Sequence, residues 1–169
     1  MKKKSLFFIA LFILVGIVLM LIPTKPVLVI SGRKDSTKCY YSAAGYRNGF
    51  IISYTHSVNK GRVYDYYRSA TNNGLELYKT QFVSYGAGIP EPGETAGAIF
   101  SVDEGCYTIS NLRRTFPRLN MAVGLVADHS INMGDTEIPL TKFFPAQTGI
   151  TLEIKRVNLA DYIWRHYHG

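Results

Sequence analysis

The sequence predicts an all-β domain, a β-sandwich or a small barrel, preceded by one N-terminal transmembrane helix and followed by a short C-terminal helix. Two patterns predict it. A charge-free apolar run opens the chain, and beyond it short apolar segments alternate with turn residues, with no long helical stripe before the last eleven residues. A 47% apolar and 13% aromatic composition over 169 residues is enough to bury one core, which argues against a disordered chain.

Leu6 to Ile22 carries neither a charge nor a polar side chain; three lysines precede it and Pro23-Thr24-Lys25-Pro26 closes it. Its seventeen residues would reach roughly 25 Å as a helix, at the short end of what crosses a bilayer core. The lysines before the run place the N-terminus in the cytoplasm and the rest of the chain outside. A cleaved signal peptide would share the basic start, but its apolar core is shorter and small residues follow it, whereas no Ala-x-Ala follows Ile22. The reading is an uncleaved signal-anchor over residues 1–26 and an extracytoplasmic β domain over 27–169, held at the cell membrane. The Pro23 to Pro26 stretch is too short to tether the domain loosely.

The expected strands are Val27 to Ser31, Lys38 to Ala43, Gly49 to Ser57, Arg62 to Thr71, Leu75 to Tyr85, Ala98 to Val102, Cys106 to Ser110, Met121 to Asp128 and Ile150 to Val157. Asn72-Asn73-Gly74 should link two antiparallel strands, because Asn and Gly tolerate positive φ. Asn158 to Gly169 reads as a helix with Leu159, Tyr162, Ile163 and His166 on one face. That face would pack on the sandwich or, with Trp164 and Tyr167, lie at the membrane surface.

Of the formal charge of +7, three units belong to Lys2, Lys3 and Lys4, leaving +4 dispersed over the remainder. No basic run follows Lys4, so the footprint of a nucleic-acid binder is missing. Export permits a disulfide between Cys39 and Cys106; their spacing equally allows two separate thiols. With no CxxC motif and no Cys/His cluster, neither a metal site nor a cofactor site is expected.

Chemistry-bearing residues concentrate in two places. In Tyr54-Thr55-His56-Ser57-Val58, period-two alternation puts Phe50, Ile52, Tyr54 and His56 on one face, and Ile51, Ser53, Thr55 and Ser57 on the other. His56 and Ser57 then point apart, which argues against a Ser-His dyad. If Val58 to Gly61 form a hairpin loop, Ser57 pairs with Arg62 and His56 becomes a diagonal neighbour of Asp65. The carboxylate would then orient the imidazole, either as a tie between strands or as a ligand-facing pair. The second place is Tyr85-Gly86-Ala87-Gly88-Ile89-Pro90-Glu91, a glycine loop able to expose backbone amides but lacking the residues of a P-loop or a Rossmann fingerprint.

These segments resemble the DUF1850 family of uncharacterised proteins. Its pattern is an aromatic-Thr-His-Ser-Val strand end, an acidic residue on the next strand and a Gly-Ala-Gly loop with prolines and glutamate. The resemblance runs from about Gly49 to Gly97. Asp65 stands where the family commonly has glutamate, and Arg62 where it often has proline. The resemblance implies an accessory component of a TAXI-type TRAP transport system, touching the permease, the substrate-binding protein or a small ligand. His56, Ser57, Asp65, Tyr85, Gly86, Gly88 and Glu91 would form that contact. The rival readings are a module binding a cell-envelope polymer and a hydrolase using His56 and Asp65, although no convincing catalytic constellation is present.

Overall fold

In the computed structural model, residues 2–83, 93, 95–134 and 136–168 are described. The apolar run forms helix α1 (Lys2–Leu21), whose large side chains from Leu6 to Leu21 are 41–81% exposed. Its Lys4–Leu21 stretch is long and apolar enough to cross a bilayer, as a membrane anchor or a signal sequence would be. Only Ile22 separates it from the first strand, so no flexible linker intervenes.

The domain is two antiparallel sheets facing each other across one core, the sandwich alternative of the expected class. The smaller sheet has the order β2 (Cys39–Ser42), β1 (Pro23–Gly32), β11 (Gly149–Asn158), β8 (Leu119–Ala122). The larger runs β10 (Glu137–Pro139), β9 (Ser130–Asn132), β3 (Phe50–Thr55), β4 (Arg62–Ser69), β5 (Leu75–Phe82), β7 (Cys106–Phe116), β6 (Ile99–Asp103). Leu28, Ile30, Ile150, Leu152 and Ile154 of the first meet Phe50, Ile52, Val63, Phe82 and Ile109 of the second. Each such fully buried side chain is worth about 1.5–3 kcal/mol of transfer free energy.

Val27 to Ile30 are buried without alternation because β1 is covered on both faces. Leu28 and Ile30 face the shared core, whereas Val27 and Val29 join Val157 in a second cluster on the outer face. That cluster lies under helix α3 (Leu159–His168), whose Tyr162 packs on it. Pro23 and Pro26 sit where β1 has a partner on one side only, since β2 pairs with Leu28 to Ser31 alone; a missing N–H is tolerated there.

The expected Asn72-Asn73-Gly74 connection is present: Asn72 and Asn73 have φ of 66° and 58° between β4 and the antiparallel β5. Several boundaries differ from expectation. β7 continues to Phe116 because Asn111 and Arg113 adopt positive φ, letting the strand bulge and resume pairing with β5. The segment expected as a strand from Met121 to Asp128 leaves its ladder at Ala122 and turns across to the other sheet. Two three-residue strands, β9 and β10, and a five-residue helix α2 (Ala43–Arg47) lacked a readable pattern at that length. Ser42 caps α2 by accepting from the Gly45 amide at 2.9 Å. Gly49, with φ +79°, is required: a Cβ there would lie 2.3 Å from the Tyr67 carbonyl oxygen.

Strand directions fix the two ends of the domain. Pro23 pairs with Asn158 beside α1 and α3, whereas Gly32 pairs with Ile150, and Gly149 with Ala122, at the opposite end. Ten residues of strand separate the ends by roughly 33 Å. Cys39 and Cys106 are free thiols on strands of different sheets, so the structure contains two separate thiols and no disulfide.

Candidate functional site

The Tyr54-Thr55-His56-Ser57-Val58 segment ends β3 at the end remote from α1. The Thr55 amide donates to the Ala127 carbonyl at 2.7 Å, binding the β3–β4 loop to the turn that follows β8. Since Ala122 pairs with Gly149 at the far end, both loops stand there together. They expose Val58 (64%), Leu125 (67%) and Val126 (77%), which give the paired loops an apolar tip.

Within the tip His56 shapes the loop. Its Nδ1 accepts from the amides of Val58 (3.3 Å) and Asn59 (3.4 Å). The His56 amide donates to the Gly61 carbonyl at 2.9 Å and the Lys60 amide returns to the His56 carbonyl at 3.1 Å. Lys60, at φ 58°, also donates from Nζ to the Ser57 carbonyl at 2.7 Å. Ser57 itself is exposed.

The expected His56–Asp65 pair is not made. The ladder joins Thr55 to Arg62 and Ile52 to Asp65, two residues away from the expected register, so His56 faces Gly61. The loop closes one step earlier because Asn59 accepts the Gly61 amide at 3.0 Å and Lys60 takes a left-handed turn. Asp65 consequently lies four residues further along the strand, roughly 13 Å away. It points into the core face beside Ile52 and accepts from the Thr80 hydroxyl at 2.6 Å, with Tyr54 as a second donor. Burial raises the Asp65 carboxyl above its ordinary value, outweighing those hydrogen bonds and the more distant charge of Arg114. Burial next to that carboxylate pushes the Tyr54 phenol up to about 12. Tyr85, Gly86, Gly88 and Glu91 lie outside the described residues.

On the opposite face of β3, residues scattered through the sequence converge on Arg62. Its Nη2 lies 2.6 Å from Glu137 Oε1, 2.9 Å from Ser53 Oγ and 3.4 Å from Ser130 Oγ, while Nη1 donates to the Asp128 carbonyl at 2.9 Å. Ser53 and Ser130 are buried, and the Ser53 hydroxyl also donates to Glu137. Hydrogen bonds from Ser53 and Arg62 hold the Glu137 carboxyl below the usual carboxylate range. Across the sheet from this web, on the Tyr54 face, His129 stacks at a tilt on Tyr54, with ring centroids 5.5 Å apart, and accepts the Gly124 amide at Nδ1, 3.0 Å away. Burial and the positive charge of Arg62 lower its pKa.

This web positions the tip by locking the 124–129 turn to the start of β4. Ser53, Ser130 and Glu137 stand on three separate strands, so their convergence on Arg62 cannot be read from the sequence, where the polar Ser53 in an apolar strand is the one local signal. Among the described residues no group of three or more His, Cys, Asp or Glu side chains is placed to hold a metal ion. A cavity of about 330 Å³ opens at the same end, lined by Gly32, Phe144 and Thr148 with Lys34 and Lys38 beside Asp35.

No curated protein and no solved structure matches the chain. A family model, described as a domain of unknown function (DUF1850), matches residues 50–140, more than half of the chain. That span covers every strand of the larger sheet, together with β8 and the whole Arg62 web, and leaves out α1, β1, β2, β11 and α3. The chain therefore belongs to the DUF1850 family.

Proposed function

We propose that this protein is a membrane-anchored accessory component of a TAXI-type TRAP transport system, and that the Val58–Leu125–Val126 tip contacts the extracytoplasmic substrate-binding protein. The observation that carries the reading is the tip's position: it stands roughly 33 Å along β1 from the end that bears α1. With α1 as the anchor and the domain outside, the tip points away from the bilayer, toward a soluble partner rather than an embedded permease. Exposed apolar side chains on loops fixed by a hydrogen-bonded web suit a docking surface, because little conformational entropy is lost on binding. The family resemblance supplies the transport system, and the geometry favours one of its components.

A photo-crosslinking residue at Val58 in the full-length protein tests this in its native membrane. Crosslinking to a binding protein of the TAXI class, identified by mass spectrometry and lost in V126E, is the expected result. Crosslinks to the permease alone, or to neither component, would reject the assignment. The 330 Å³ cavity favours a second reading, in which a small organic anion binds between Lys34 and Lys38; thermal stabilisation by dicarboxylates that disappears in K34A/K38A would support it.

A further inference from the structure

Helix α3 is mounted with the wrong side out for a helix facing water. The side turned to the sheet carries Asp161, Tyr162 and Arg165. Tyr162 packs on Val27, Val29 and Val157, the Tyr41 hydroxyl donates to Asp161 at 2.7 Å, and Arg165 lies 3.2 Å from Asp161 and over the Tyr41 ring. The other side carries Leu159, Ala160, Ile163 and Trp164, of which Leu159, Ile163 and Trp164 are 38%, 40% and 64% exposed. An amphipathic surface helix ordinarily does the reverse, burying its apolar stripe and presenting charge to solvent.

The helix is placed where this inversion has a use. The Asn158 side chain accepts the Asp161 amide at 2.7 Å and starts α3 at the residue that pairs with Pro23, where α1 enters the domain. Helices α1 and α3 touch, and Ile22 is the only residue between α1 and β1. Two cations border the same end: Lys25, whose Nζ lies 3.9 Å from the Tyr162 ring centroid, and exposed Arg156, which donates to the Thr24 carbonyl at 3.3 Å. The nearby acids are engaged, Asp161 by Tyr41 and Arg165, and Glu153 by Lys155 at 2.6 Å.

We propose that the Leu159–Ile163–Trp164 face of α3 is a lipid-contacting surface that seats the domain on the interface of the outer leaflet, with Lys25 and Arg156 toward anionic headgroups. An apolar helix face containing tryptophan, at an end of the domain that also carries two cations, matches the chemistry of that interface, where the ring is buried to headgroup depth and the charges stay wet. Two attachment points, α1 and α3, then fix the tilt of the sandwich as well as its height. The inference rests on α1 being retained as an anchor.

Trp164 is the sole tryptophan of the chain and reports directly on the question. The full-length protein in phosphatidylcholine–phosphatidylglycerol nanodiscs is the sample, with its intact mass measured first. Expected are a blue-shifted emission, iodide quenching several-fold weaker than for free tryptophan amide, and strong quenching by lipids brominated near the headgroup end of their chains. Emission open to iodide and untouched by brominated lipid would overturn the inference while leaving the anchor in place. Shielding from iodide without bromolipid quenching would also overturn it, since protein rather than lipid would cover the face. A mass lacking the α1 segment in protein taken from cells would overturn the anchor and this inference together.

Discussion

Replacing Arg62 by alanine should cost about 3 kcal/mol of folding free energy, a large share of what a domain of this size has to lose. The guanidinium makes two good charge-assisted hydrogen bonds, to Ser53 Oγ at 2.9 Å and to the Asp128 carbonyl at 2.9 Å, each contributing about 1 kcal/mol net. The Glu137 carboxylate is 42% exposed, so its contact with Arg62 at 2.6 Å counts as a partly screened pair worth at most about 1 kcal/mol. The Arg62 side chain is 22% exposed, and losing its largely buried stem adds up to about 1 kcal/mol. Ser53 keeps Glu137 as an acceptor, so no buried hydroxyl is orphaned. Urea unfolding of the full-length protein in mild detergent measures the loss, and a double-mutant cycle with E137A should return a coupling of about 1 kcal/mol. A loss below about 0.5 kcal/mol for R62A, the scale of an ordinary surface substitution, would refute the view that this web locks the tip.

The remaining predictions concern other parts of the sandwich. Burial raises the folded-state pKa of Asp65, so the stability linked to its neutral form is full below pH about 4 and is lost as pH rises through the raised value. D65N cannot ionise and should gain stability relative to wild type as pH rises toward neutral; urea midpoints that differ by the same amount at every pH would contradict this. Gly49→Ala combines a φ of +79° with a Cβ 2.3 Å from the Tyr67 carbonyl oxygen and should cost about 2 kcal/mol or more, read as a drop in melting temperature. V58S should leave the unfolding free energy from urea titration within about 0.5 kcal/mol of wild type, because the side chain is mostly exposed; a larger loss would mean that Val58 packs within the domain. Alkylation under non-reducing, denaturing conditions should modify both Cys39 and Cys106, with no further uptake after reduction.

Sequence alone determined the features that depend on residues close together in the chain. The unbroken apolar run made α1, Asn72 and Asn73 made the β4–β5 connection, and period-two alternation set the shared face of Phe50, Ile52 and Tyr54. The family, too, was readable in a stretch of about fifty residues. Tertiary structure decided what depends on register and on distant partners. A two-residue shift in the β3–β4 ladder preserved which face Asp65 occupies, because side chains alternate with period two, yet it removed Asp65 from His56 by four positions. The Arg62 web joins residues 53, 62, 128, 130 and 137, whose common neighbourhood exists only once β9 and β10 dock on β3. The orientation of α3 was also a tertiary outcome. Helical periodicity groups Leu159, Ile163 and Tyr162 on one side, but Tyr41 and the valines beneath the helix capture Tyr162 and Asp161 and turn the aliphatic stripe outward.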